Sequence, residues 1–170
     1  MSQSEREKIV FNKGQLDAYI GLTEFFNQHQ DSCAYLIGLP GTGKTMLAMR
    51  IVNNLIKQKY SVIIAAPTHA ALAVMKAYAQ ENMSRKLFSR LAFATLHRLF
   101  KLGPVINCEN GERVFKKKKK NAGEKTDVDF VIVDEVSMMD KNMVEYSTEF
   151  IKEHKCKLLF TGDKGQIPPI

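Results

Sequence analysis

Cys33-Ala-Tyr-Leu-Ile-Gly38-Leu-Pro-Gly-Thr-Gly43-Lys44-Thr45 is the stretch on which the reading of this chain turns. A short apolar run, right for a buried strand, ends in a glycine-rich turn, and helical spacing begins immediately after it. Residues 38 to 45 meet the pattern G-x-x-x-x-G-K-T at every fixed position, in the strand-then-helix context that a phosphate-binding loop requires. Gly38, Gly41 and Gly43 let the backbone turn so that successive N–H groups point at one anion. The helix N-terminus near Gly43 adds unpaired amide donors and about half a positive charge. The expected nucleotide contacts are Gly38, Pro40, Gly41, Thr42, Gly43, Lys44 and Thr45. Lys44 would reach the β and γ phosphates and Thr45 would place its hydroxyl on a metal, so ATP and Mg²⁺ are the implied cofactors.

A second motif lies downstream at Asp129-Phe-Val-Ile-Val-Asp134-Glu135. The run Phe130 to Val133 has the brevity and β-branched composition of a strand buried on both faces. Its acidic tip then falls at the C-terminal edge of a parallel sheet, where α/β folds bind ligands, so Asp134 and Glu135 should meet the phosphate loop there. Asp134 suits the outer sphere of Mg²⁺ and Glu135 suits polarisation of an attacking water. Acidic pairs after strands are also common on surfaces; the loop upstream is what gives this pair a role.

Working outward, helix and strand signals alternate. Residues 14 to 28 read as a helix with Leu16, Tyr19, Ile20, Leu22 and Phe26 near one face, followed by the loop strand and a helix from Gly43 to about Lys57. Strands are expected at 61 to 66, 91 to 94, 130 to 133 and 157 to 161, with helices at 70 to 79 and 142 to 153 and a helical turn at Leu96 to Phe100. Repeated β-α-β units predict a three-layer α/β fold with a parallel central sheet. From Lys101 to Asp127 the rhythm breaks: Asn110-Gly111 between two short strand-like runs predicts an inserted β-hairpin. Lys116 to Lys120 follow as an uninterrupted basic run, either a solvated loop or a contact to a nucleic-acid backbone.

The chain of 170 residues fits about one domain of the usual ~100–200 residues, and 45% hydrophobic content can fill one core. No apolar stretch approaches the ~20 residues of a membrane span, and the charged N-terminus carries no secretory pattern. Three widely spaced cysteines, Cys33, Cys108 and Cys156, argue against a disulfide framework or zinc site and for a reducing cytosol. The formal charge of +7 and pI near 9.3 favour an anionic partner.

Taken together, Gly38 to Thr45, Ala66-Pro-Thr-His-Ala-Ala71, Ala94-Thr-Leu-His97, Val133-Asp-Glu-Val-Ser-Met138 and Thr161-Gly-Asp-Lys-Gly-Gln-Ile-Pro-Pro169 resemble the successive motifs of superfamily 1B DNA helicases of the RecD and Dda type, over nearly the whole chain. The resemblance implies a RecA-like, P-loop NTPase motor domain formed by residues 1–100 and 128–170, with 101–127 as an inserted hairpin and basic loop. It implies ATP hydrolysis coupled to 5′-to-3′ translocation on single-stranded DNA and unwinding at a fork, in a cytoplasmic or nucleoid-associated setting of a bacterial or phage-infected cell. It implies that Gln15 reads adenine, that Gln166 senses the γ-phosphate beside Lys44 and Glu135, and that Pro67, Thr68, His69, Thr95 and His97 touch DNA. Phe115 would match the base-stacking aromatic of a pin, though hairpin packing serves it equally well. That family pairs this domain with a second RecA-like domain carrying an arginine finger, so slow hydrolysis is expected of this part alone. Two other classes remain open on the sequence: a P-loop ATPase or kinase acting on another substrate, and an ATP-responsive module binding single-stranded DNA.

Overall fold

The computed structural model of the chain describes residues 11–28, 30, 32–106, 113–117 and 127–163. In chain order these form α1 (Lys13–Asn27), β1 (Cys33–Ile37), α2 (Lys44–Lys57), β2 (Val62–Ala66), α3 (His69–Asn82), α4 (Arg85–Phe88), β3 (Ala92–Thr95), α5 (Leu96–Leu99), β4 (Leu102–Ile106), β5 (Arg113–Lys117), β6 (Phe130–Val133), a 3₁₀ turn (Val136–Met138), α6 (Lys141–His154) and β7 (Lys157–Gly162). The expected Asn110-Gly111 turn, Lys118 to Lys120, Cys108 and Gln166 lie outside the described residues.

Five strands make one parallel sheet in the order β1-β7-β6-β2-β3, so the three-layer α/β expectation holds. Side chains alternate between its two faces. Ile64, Ile132 and Leu159 pack under α1, α2 and α3 with Leu22, Phe26, Leu47, Val52, Ile56 and Met75. Ile63, Val131, Val133, Leu158 and Phe160 pack on the other face with Leu99, Phe100, Met143 and Phe150. Every residue of β2 and β6 is buried, which is why those segments read as unbroken apolar runs.

Helix starts are set by short polar side chains. Asn12 and Gln15 close a reciprocal capping box on α1. Thr68 accepts from the Ala71 amide at 3.1 Å and Asp140 from the Met143 amide at 2.8 Å, fixing the starts of α3 and α6. One expectation fails on α1: Leu16 and Ile20 are about half exposed, and the buried residues are Leu22, Phe25 and Phe26. Ala18 and Tyr19 pack against the core on the buried face, and Leu16 and Ile20 fall to the side of it that faces solvent. The four-residue α4 and the 3₁₀ turn were not legible in the sequence, being too short for periodicity to register.

Within the stretch 101–127, β4 and β5 form a separate two-stranded sheet. β4 and β5 pair antiparallel, with Leu102 opposite Lys117 and Pro104 opposite Phe115. Its base belongs to the domain: Leu102 is buried in the core, and Lys117 lies 2.6 Å from Glu149 and 3.4 Å from Glu153 on α6. Among the described residues no helix is long and apolar enough to cross a membrane.

At the C-terminal edge of the sheet, the 3₁₀ turn folds back over the end of β7. A Cβ placed on Gly162 would meet Val136 Cγ1 at 2.5 Å, with the Val136 and Ser137 amides just beyond, so only glycine allows that approach. Gly162→Ala should destabilise the fold by ~1–3 kcal/mol through overpacking. Urea denaturation checks it, and the double variant Gly162→Ala/Val136→Ala should recover most of the loss.

Candidate nucleotide site

The phosphate loop spans the end of β1 and the start of α2, and two glycines carry its curvature: Gly41 at φ +76° and Gly43 at φ +84°. Gly43 is the N-cap of α2, with no side-chain cap, so the first amides of that helix stay available to an anion. Inside the loop, Thr42 Oγ1 donates to the Leu39 carbonyl at 2.8 Å. Lys44 Nζ donates to the carbonyls of Gly38 at 2.8 Å and Leu39 at 2.9 Å, folding its charge back over the loop's concave side. Pro40, Gly41 and Thr42 are exposed, and Gly38, Lys44 and Thr45 are half-buried.

The carboxylates do not sit on the strand adjacent to this loop. β7 lies between β1 and β6, and its last two residues bridge the gap. The Gly38 amide donates to the Gly162 carbonyl at 3.3 Å, and Thr161 Oγ1 donates to Asp134 Oδ1. Thr161 is fully buried, so its hydroxyl has few partners besides that carboxylate and the Val133 carbonyl at 3.5 Å. Burial pushes the Asp134 carboxyl above its ordinary value; the Thr161 hydrogen bond and the Glu135 amide pull it back, the Glu135 charge raises it again, and the Lys44 charge lowers it. The Gly38–Gly162 and Thr161–Asp134 hydrogen bonds bring the loop and this carboxylate to one edge of the sheet.

Glu135 occupies the left-handed region at φ +59°, ψ +48°, a conformation costing a non-glycine residue roughly 1 kcal/mol or more. Its Oε1 accepts from Ser137 Oγ at 2.8 Å, which fixes the carboxylate beside the turn. Hard oxygen donors at Thr45 and Asp134, next to a lysine and helix amides, fit a Mg²⁺–phosphate pair by their chemistry. Among the described residues there is no cluster of three His, Cys, Asp or Glu side chains that would hold a metal without a phosphate's help.

Gln15 is brought to the loop from α1: its Nε2 donates to the Thr42 carbonyl at 3.0 Å. Pro67, Thr68 and His69 follow β2, and Thr95 ends β3, its neighbour in the sheet, with His97 just beyond, so both segments open on the nucleotide edge. They differ in exposure. His69 is exposed, Thr68 and His97 are half-buried, and Thr95 is buried with its hydroxyl accepting from the Arg98 amide at 3.4 Å. The His97 ring meets Phe115 edge-on, with centroids 4.4 Å apart, and the Tyr146 hydroxyl approaches the Phe115 carbonyl at 3.5 Å. Phe115 nonetheless keeps 43% of its surface exposed, so its ring both packs and faces solvent. Gln166 lies outside the described residues.

Three residues of the site carried no role in the sequence reading: Thr161, Ser137 and Gly162. A lone hydroxyl inside the apolar strand Lys157–Gly162 was the available signal for Thr161. Ser137 and Gly162 become meaningful only once the turn is folded onto β7.

Comparison with known proteins places this geometry. A family model described as AAA domain matches residues 24–170. The uncharacterized protein R530 of Acanthamoeba polyphaga mimivirus is 32% identical over 95% of the chain and 34% of its own length. The RecBCD enzyme subunit RecD of Buchnera aphidicola subsp. Acyrthosiphon pisum is 29% identical over 82% of the chain and 23% of its own length. The chain thus spans about a third or less of these relatives. In structure, Bacteroides sp. Pif1 in complex with ADP-AlF4 superposes over 95% of this chain and 34% of its own at a TM-score of 0.58 and 17% identity. A Pif1 structure concerned with DNA unwinding at forked duplex covers 95% of this chain and 35% of its own at a TM-score of 0.57 and 17% identity. The chain belongs to the AAA domain family, and its fold is shared with the Pif1 structures.

Proposed function

We propose that this domain is the ATP-binding motor of an ATP-dependent DNA helicase, acting with a second RecA-like domain to move on single-stranded DNA and open forked duplex. The observation that carries the reading is the convergence of Lys44, Asp134 and Glu135 on one sheet edge, with the two β-strand tips that bear Pro67 to His69 and Thr95 to His97 opening beside them. RecD kinship and the Pif1 fold, one structure holding ADP-AlF4 and another concerned with forked DNA, support it.

On this reading the glycine loop and the α2 N-terminus bind the phosphates, and Lys44 leaves the Gly38 and Leu39 carbonyls for the β and γ phosphates. Mg²⁺, held by Thr45 and Asp134, would supply charge neutralisation of the triphosphate. Glu135, held by Ser137, takes a proton from water attacking the γ-phosphorus, with Gln166 assigned to the γ-phosphate and Gln15 to adenine. DNA contacts through Pro67, Thr68, His69 and His97 address the backbone and so tolerate any sequence, as a moving motor needs. Thr95 acts by fixing the α5 turn that carries His97. The exposed part of Phe115 serves as a stacking face on the hairpin.

Lys44→Ala should weaken Mg·ATP binding at least tenfold, the ~1.5 kcal/mol of a charge-assisted hydrogen bond, by titration calorimetry. Glu135→Gln should bind ATP as the unmodified chain does while hydrolysis falls by roughly 10²-fold or more; unchanged phosphate release would remove Glu135 from the chemistry.

Asp134 yields a test by pH and stability. Its folded-state carboxyl titrates above its unfolded value, so ionisation weighs against the fold: stability drawn from this group is greatest below the unfolded value and is lost as pH rises through the folded one. Without nucleotide and Mg²⁺, Asp134→Asn should therefore melt higher than the unmodified chain at neutral pH, with the gap closing as pH falls. The same variant should lose Mg²⁺-dependent nucleotide binding.

Single-stranded DNA should bind the isolated chain weakly, with affinity falling linearly on a log–log plot against salt as counterions are released. Fluorescence anisotropy across a salt series measures the slope, and salt-independent binding would count against a phosphate track.

A further inference from the structure

Gln15 sits in the first turn of α1 with both ends of its side-chain amide engaged. Oε1 accepts from the Asn12 amide at 3.1 Å, completing the capping box that the Gln15 amide opens on Asn12 Oδ1 at 2.8 Å. Nε2 reaches across 27 positions of sequence to the Thr42 carbonyl at 3.0 Å. The next residue is fitted to that contact: a Cβ on Gly43 would lie 2.9 Å from Gln15 Nε2, at a residue whose φ of +84° already favours glycine.

A peptide unit is planar and trans, so its C=O and N–H point in opposite directions. Holding the Thr42 carbonyl toward α1 therefore turns the Gly43 N–H away from α1. Gly43 is the N-cap from which α2 starts, so the orientation of this one peptide sets how the first donors of the helix are presented. The only side chain outside the loop recorded as hydrogen-bonding a loop residue from 38 to 43 is that of Gln15 among the described residues.

We infer that Gln15 is a positioning residue for the phosphate loop: its Nε2–Thr42 hydrogen bond presets the Thr42–Gly43 peptide for phosphate, independently of any nucleobase. The inference rests on the reading of residues 38 to 45 as a nucleotide-phosphate site. It leaves one Nε2 hydrogen and one Oε1 lone pair free for a base, so it adds to adenine reading and does not compete with it.

A base-free probe separates the two roles. Binding of Mg·tripolyphosphate and of Mg·ATP is measured by calorimetry on the unmodified chain, on Gln15→Met, and on Asn12→Ala, which removes the other half of the capping box and leaves the Gln15 amide in place. Gln15→Met should lose roughly three- to tenfold in affinity for tripolyphosphate, the range of one neutral hydrogen bond, and at least as much for ATP. Asn12→Ala should lower the melting temperature and leave tripolyphosphate affinity within twofold. Tripolyphosphate affinity unchanged in Gln15→Met while ATP affinity drops would reduce Gln15 to a base reader and overturn the inference. Equal losses in Gln15→Met and Asn12→Ala would overturn it too, by tracing the effect to helix stability. Failure of the unmodified chain to bind either probe would overturn the phosphate-site reading itself, a result distinct from both.

Discussion

The end of β7 is the constraint on which the site depends. This strand is the last in sequence among the described elements, yet it lies between β1, which carries the phosphate loop, and β6, which carries the acidic pair. Its Gly162 carbonyl accepts from the Gly38 amide, its Thr161 hydroxyl donates to Asp134, and its Gly162 Cα gives room to the turn that follows Glu135. Loop and carboxylates, about a hundred residues apart in sequence, are thereby locked to one another through two residues. Parallel pairing makes this possible, because all five strands end at the same edge.

Two features of that edge cost stability and are held in place by the sheet beneath. Asp134 is desolvated enough that its ionised form is disfavoured, and Glu135 adopts a backbone conformation suited to glycine. Both sit directly after Phe130–Val133, a strand buried on both faces between two hydrophobic clusters. On the proposed function, a metal held at Asp134 would offset that electrostatic penalty, so the arrangement that weakens the empty fold would favour the loaded one.

The hairpin is joined to this machinery by contacts at its base. Lys117 reaches Glu149 and Glu153 on α6, the helix that begins a few residues after the 3₁₀ turn, and Phe115 rests against His97, just beyond the end of β3. Exposed ion pairs of this kind contribute only ~0–1 kcal/mol each, so Leu102 in the core is the firmer anchor and the pairs set orientation. One side of the Phe115 ring packs against His97 and the remainder faces solvent.

The sequence by itself determined the fold class, the order of most elements, the phosphate loop and the position of Asp134 and Glu135 at a strand tip. These rest on local signals: β-branched runs, glycine spacing and caps act within a few residues, so a linear reading recovers them. Only the tertiary structure decided that β7 separates β1 from β6, that Thr161 and Ser137 orient the carboxylates, that Gln15 holds the Thr42 carbonyl, and that Leu16 and Ile20 lie uncovered. Each of those depends on which surfaces meet across long stretches of chain. Periodicity marks the apolar residues of an element; where the element lies decides which of them find something to pack against.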